Sequence, residues 1–148
     1  MMLKRTLSLG SDHGGFELKE TLKTYLNHYF PHIQLLDLGT HSIDSCHYPE
    51  FADRVAKSIL SRESQLGILC CGTGIGISIR ANRHKGIRAA LVHDIFTATQ
   101  AKAHNNANIL CLGGRSLDHT TATQCVSFWL NTEFEAGRHQ FRLDLLDQ

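Results

Sequence analysis

The sequence has no apolar run approaching the roughly 18 residues that a membrane-spanning helix requires, so a helical membrane protein is not expected. It has almost no net charge: 15 Lys and Arg against 14 Asp and Glu leave +1. No broad basic field is therefore present to invite nucleic acid. It lacks a disulfide framework, because its five cysteines are odd in number, with Cys70 and Cys71 adjacent and Cys46, Cys111 and Cys125 scattered. Ten histidines make a metal worth considering, yet His41, Cys46 and His47, the nearest approach to a ligand set, have no standard ligand spacing. No metal is expected. The first ten residues include Lys4 and Arg5 but too short an apolar stretch for a secretory signal. They read as a first strand, in a cytoplasmic protein. Internal repeats, linkers and low-complexity tracts are also missing. What remains is a chain of 148 residues, 42% hydrophobic, long enough for one domain over 1–148 with a real core.

The stretch around which the rest is organised runs from Leu66 to Ile79. An apolar run, Leu66 to Cys71, meets a glycine-rich turn, Gly72-Thr73-Gly74-Ile75-Gly76, and then a helical segment. This describes the carboxyl end of a buried parallel strand entering a helix. Backbone N–H groups and the positive end of the helix converge there, so small anions, or negative charge developing in a reaction, are stabilised. Two known nucleotide patterns do not fit. A dinucleotide fingerprint from Gly72 needs glycine where Ile77 stands, and the Gly-Lys-Ser/Thr of a phosphate loop is absent. The alternative is a tight turn whose glycines only let strand and helix pack closely.

Hydrophobic spacing predicts strands at 3–9, 33–38, 66–71, 86–92 and 108–112. It predicts helices over 16–30, stopped by Pro31; from Pro49 to about Arg62; from Ile75 to about Arg83; over 96–104, capped by Asp94; and from about Asp118 to Leu130. A last segment runs through Arg138 to Leu146. Alternation of five strands with helices predicts an α/β fold: a parallel sheet, helices on both faces, right-handed crossovers. Ligands in such folds bind beyond the carboxyl ends of the strands. That places Asp12 and His13 after the first strand near Cys71 to Gly76 after the third. His104 and Asn105 end the helix before strand five, so the same argument places them less securely.

Each chemical candidate has two readings. Cys71 is either a base or nucleophile at a helix N-terminus, or a buried strand cysteine. Cys70 faces the opposite way and reads as core. Asp12-His13 is a ligand-binding pair or turn chemistry. His104-Asn105 is a proton donor beside an amide or a favourable helix terminus. Arg138 and Arg142 lie four apart on one helical face, suited to a phosphate or to solvent.

In this order the pieces resemble the ribose-5-phosphate isomerase B family, which includes the galactose-6-phosphate isomerase subunits. The resemblance covers nearly the whole chain. It rests on Ser11-Asp12-His13-Gly14-Gly15-Phe16 with Lys19, Asp37-Leu38-Gly39-Thr40, Tyr48-Pro49, Cys71 to Ser78, Ala81-Asn82, Gly86 to Ala89, His104-Asn105, Gly113-Gly114-Arg115 and Gly137-Arg138-His139. It implies a Rossmann-like three-layer αβα sandwich, no cofactor or metal, and a homodimer, in some members paired into tetramers. The C-terminal segment, about 132–148, is expected to reach the partner subunit. The implied reaction interconverts ribose 5-phosphate and ribulose 5-phosphate. By the resemblance Cys71 moves the proton between C1 and C2, and N–H groups of Gly72, Gly74, Ile75 and Gly76 hold the enediolate oxygen. Thr73 and His104 help to open the sugar ring, and Asp12, Tyr48 and Asn105 contact hydroxyls. The phosphate lies against His13, Arg138 and Arg142, with Arg115 a further candidate. One departure is His47, where family members commonly carry Asp before Tyr-Pro. It keeps open an isomerase of a six-carbon sugar phosphate, such as allose 6-phosphate or galactose 6-phosphate. A non-catalytic anion-binding module is the remaining alternative.

Overall fold

The computed structural model describes residues 5–148. Five strands, β1 (Thr6–Ser11), β2 (Gln34–Asp37), β3 (Leu66–Cys71), β4 (Ala89–Leu91) and β5 (Ile109–Gly113), form one sheet in the order β2-β1-β3-β5-β4. Every neighbouring pair is parallel. The helices are α1 (Phe16–Tyr29), α2 (Tyr48–Leu60), α3 (Ile75–Ala81), α4 (Ile95–Ala103), α5 (His119–Asn131) and α6 (Arg138–Leu146).

The sheet divides the core in two. Leu7, Leu9, Ile68, Cys70, Leu110 and Leu112 pack with Leu18, Leu22 and Leu26 of α1, Ala98 of α4 and Trp129 of α5. Leu69, Cys71, Ile109 and Cys111 pack on the other face with Val55 of α2 and Ile77 of α3. Successive residues of a strand face opposite ways, so Cys70 and Cys71 enter different cores. All six residues of β3 are buried, as a strand covered on both faces requires. The predicted three-layer α/β arrangement is thus the observed one. Strand order reverses between β1 and β3, and their carboxyl ends, Ser11 and Cys71, lie at that switch point.

Two predicted strands are corrected. The first does not end at Leu9: it continues through Gly10, paired with Leu69, and Ser11, paired with Cys70. Its expected start at Leu3 lies outside the described residues. The fourth shrinks from 86–92 to Ala89–Leu91. Here side-chain amides replace ladder partners. Asn82 accepts from the Ala89 N–H at 2.8 Å and donates to its carbonyl at 2.9 Å. Asn108 accepts from the Arg88 N–H at 2.8 Å and donates to the Gly86 carbonyl at 2.9 Å.

Lys19 of α1, wholly buried, reaches Asp37 at the end of β2 at 2.7 Å, and Lys23 reaches the same carboxylate at 2.7 Å. Asp37 also accepts from the Gly39 N–H at 2.9 Å. Burial pushes the Asp37 carboxyl up, but the hydrogen bonds from Lys19, Lys23 and Gly39 outweigh it and hold the pKa down at about 2. Gly39 in turn accepts from Ser11 N–H at 2.7 Å. The ion pair therefore anchors the loop that borders the switch point.

Candidate active site

The loops after β1, β3 and β5 are joined backbone to backbone. Gly114 N–H donates to the Cys71 carbonyl at 2.8 Å, Arg115 N–H to Gly72 at 2.9 Å, and Asp12 N–H to Cys70 at 3.3 Å. No side chain fits between them: a Cβ on Gly114 would lie 2.5 Å from the Gly14 carbonyl oxygen, and one on Gly14 would lie 3.1 Å from Gly72 N.

Cys71 stands at the edge of this floor with 4% of its surface exposed. Gly74 N–H points at its sulfur, 3.1 Å away. Gly74 adopts φ +78°, a left-handed conformation that a side chain would strain, and this turn starts α3 directly behind the thiol. The N–H of Ile75 is taken by the Thr73 hydroxyl at 3.2 Å, and Thr73 is exposed. Gly76 lies beneath the ring of Tyr48, where a Cβ would come within 2.5 Å of the ring. So Tyr48, at the start of α2, closes over the Cys71 loop. By contrast the Cys70 thiol is fully buried, and desolvation with the neighbouring Cys71 pushes its pKa far up. Cys70 remains an inert core thiol.

Asp12 is buried and accepts from the Gly15 N–H at 3.1 Å, so the turn reading of Asp12 is realised at the same place as the binding reading. His13 accepts the Cys46 N–H on Nδ1 at 3.2 Å. When neutral it then carries its proton on Nε2. A pocket of about 290 Å³ opens beside it, lined by His13, Gly14, Glu17, Leu18, Ile43, Gly114 and Arg115. The Arg115 guanidinium lies over the glycine floor, 3.4 Å from where a Cβ of Gly14 would be. His47 is exposed, immediately before Tyr48.

The remaining candidates are elsewhere on the chain. Helix α4 runs back toward the amino ends of the strands. Arg88 ties the Asn105 carbonyl down at 3.1 Å, and the Asn108 carbonyl accepts from Gly67 N–H at 2.8 Å, at the beginning of β3. Cys71 is four residues further along β3, roughly 13 Å at 3.3 Å per residue. His104 and Asn105 therefore do not meet Cys71 of their own chain. Arg138 and Arg142 of α6 are exposed on the same side, held there because His139 stacks on His104 with ring centroids 4.1 Å apart. The structure gathers Asp12, His13, Tyr48, Cys71 to Gly76 and Arg115 at one end of the sheet. It gathers His104, Asn105, Arg138 and Arg142 at the other.

Sequence reasoning missed Glu135. Its carboxylate lies 3.8 Å from His104 and 3.7 Å from His139. Among the described residues these three are also the group of metal-ligand types that comes together. His41, Cys46 and His47, the set weighed from the sequence, do not form such a group. A larger cavity, about 790 Å³, runs along the edge strand β4 between Asn82, Leu91, Asn105 and Leu146. It lies away from Cys71, and chemistry rather than volume picks out the thiol end.

The Cys71 thiol beside a glycine-rich strand-to-helix turn, next to a pocket that His13 and Arg115 line, thus lies at the switch point where parallel α/β sheets bind ligands. Residues 7–146 match the family model described as Ribose/Galactose Isomerase, and the chain belongs to that family. It is 37% identical over 142 residues to ribose-5-phosphate isomerase B of Escherichia coli, covering 96% of this chain and 94% of that one. A solved ribose 5-phosphate isomerase of Thermotoga maritima superposes with a TM-score of 0.94 at 46% identity, covering 98% and 99%. Ribose-5-phosphate isomerase B of Mycoplasma genitalium, solved with bound ribulose 5-phosphate, gives 0.92 at 37% identity, covering 99% and 96%. The protein is a sugar-phosphate isomerase of the ribose-5-phosphate isomerase B type. Among the described residues no helix is long and apolar enough to cross a membrane.

Proposed function

We propose that the protein interconverts ribose 5-phosphate and ribulose 5-phosphate through an enediolate, with Cys71 as the general base. The observation that carries this reading is the Gly74 N–H aimed at the Cys71 sulfur across a floor of backbone donors. A thiolate at that sulfur takes the proton from C2 of the open aldose. Negative charge moves to the C1 oxygen, where free N–H groups of the loop from Gly72 to Gly76 receive it. The thiol returns the proton to C1 while the proton of the O2 hydroxyl passes to O1, so the carbonyl forms at C2 and the ketose results. Charge balances without a cofactor. His13 and Arg115 bracket the pocket and supply donors for an anion.

The other half of the site comes from a second copy. His104, Asn105, Arg138 and Arg142 are exposed or half-exposed, and they cannot reach Cys71 within the chain. A two-fold dimer brings each group to the partner's thiol end. Phe141, Leu145 and Leu146, on the helix that carries Arg138 and Arg142, and Phe96 at the start of α4 are each at least 64% exposed and supply apolar area for such an interface. In that setting His104 exchanges the proton that opens the sugar ring, with Thr73, while Tyr48, Asp12 and Asn105 hold hydroxyls and the arginines the phosphate.

The test is conversion of ribose 5-phosphate by the purified protein with EDTA and no added cofactor, with allose 6-phosphate and galactose 6-phosphate in parallel. Turnover of the pentose, lost in Cys71→Ala while binding persists, supports the reading. Preference for a six-carbon substrate would move the assignment to the family's other branch and to His47. Absence of turnover on all three, or near-normal activity of Cys71→Ala, would overturn it.

A further inference from the structure

At the far end from the thiol, the imidazoles of His104 and His139 lie face to face, centroids 4.1 Å apart and planes 15° from parallel. His139 is 5% exposed, and its Nε2 is buried without a hydrogen-bond partner. Glu135 stands off both rings, 3.8 Å from His104 and 3.7 Å from His139. Its own backbone is fixed, because Glu135 N–H donates to the Ala103 carbonyl at 2.9 Å, one residue before His104.

The residue types suggest a metal, but the geometry does not. Ring nitrogens ligate with lone pairs in the ring plane, at about 2.0–2.1 Å. The lone pairs of two stacked, near-parallel rings run side by side and do not converge on one ion. A histidine used only as core filler fits poorly too, since a buried ring nitrogen without a partner costs stability that an apolar side chain would not.

We infer that His139 is a positioning residue for His104: its buried flat ring is the surface on which the His104 imidazole is laid, with the Glu135 carboxylate standing near Nε2 of both rings. This rests on the reading of His104 as the residue that moves the ring-opening proton. Histidine at a helix end has few restraints of its own, and His104 closes α4 as its C-terminal cap. Stacking removes the freedom of the ring to turn, and proton transfer depends on that alignment.

The charged and titratable groups facing His139 are His104 at the end of α4, Glu135 in the preceding segment, and Arg138 and Arg142 on its own helix. Burial pushes its pKa down. His104, Arg138 and Arg142 add to this, and Glu135 opposes. His139 is therefore neutral at neutral pH. Acid charges it, and a charged ring buried against the His104 face and beside Arg138 and Arg142 is disfavoured. The stack opens.

The experiment compares His139→Ala, His139→Phe and His139→Leu with wild type on ribose 5-phosphate, with melting temperatures and inhibition by inorganic phosphate measured alongside. The expected result is a kcat loss of about tenfold in His139→Ala at unchanged KM and unchanged phosphate inhibition. His139→Phe, which keeps a flat face, recovers much of that loss, and His139→Leu does not. The acid limb of kcat also extends to lower pH in His139→Phe than in wild type, because the ring that replaces His139 cannot charge. Equal kcat in His139→Phe and His139→Leu, or an unmoved acid limb, would overturn the inference. If His139→Ala does not fold, the Phe and Leu pair decides alone. His104→Asn separates the two levels: full turnover there removes His104 from the chemistry and this inference with it, whereas loss there beside an indifferent His139 series overturns the inference only.

Discussion

A lysine with no exposed surface, Lys19, is tolerated because Asp37 meets it at 2.7 Å and Glu20 at 3.2 Å. Removing one partner of such a pair leaves the other charge stranded. Asp37→Asn should lower stability by about 3 kcal/mol, read as a fall in the urea midpoint at neutral pH. The pH dependence has a definite sign. The Asp37 pKa is lowered on folding, from 3.8 to about 2. Its contribution is fully present above pH 3.8 and is lost as pH falls through 2. Wild type should lose about 2 kcal/mol over that window beyond what Asp37→Asn loses. Acid unfolding curves with the same slope in both would remove Asp37 from the account. At this scale the sequence was partly legible. Lys19 and Asp37 were each visible within a motif, but nothing in their spacing said that they meet, because the rest of α1, a turn and the whole of β2 separate them.

Helix ends are where local chemistry was most readable. Asp94 caps α4 as predicted, accepting from the Thr97 N–H at 2.7 Å. The same logic exposes a flaw at the end of α2, where Arg62 takes φ +67° in a position that favours glycine. Arg62 is exposed, so Arg62→Gly should stabilise the fold by about 1 kcal/mol through relief of that strain. A rise in melting temperature without change in kcat is the check. The strands were legible in number and order along the chain because buried apolar runs announce themselves between helical patterns. Their lengths were less so. Pattern alone could not show that the amides of Asn82 and Asn108 take over the bonding around β4, or that β1 runs on through Gly10 and Ser11 to reach the switch point.

For the whole molecule, one rule, that ligands gather beyond the carboxyl ends of parallel strands, groups Asp12 and His13 with Cys71 to Gly76, and the structure brings these residues to one end of the sheet. The rule places His104 and Asn105 less securely, and the structure shows the reason: α4 returns to the opposite end of the sheet. A site divided between two copies has a specific signature. Cys71→Ala and His104→Asn are each expected to be inactive. Mixed under conditions that exchange subunits, they form heterodimers with one intact site and one doubly damaged site. With random exchange about a quarter of wild-type activity should return. No recovery, with heterodimers demonstrated by mass, would place His104 and Cys71 in the same chain or remove one of them from the reaction. The three welded loops carry a further implication. Where Gly15 meets the Cys70 backbone and Gly114 meets that of Gly14, no side chain can be added without prising the loops apart. The floor is thus closed to gradual change, and a lineage that altered its sugar preference would have to do so along the rim, in the segment from His41 to His47, whose exposed side chains can vary without disturbing the cradle beneath.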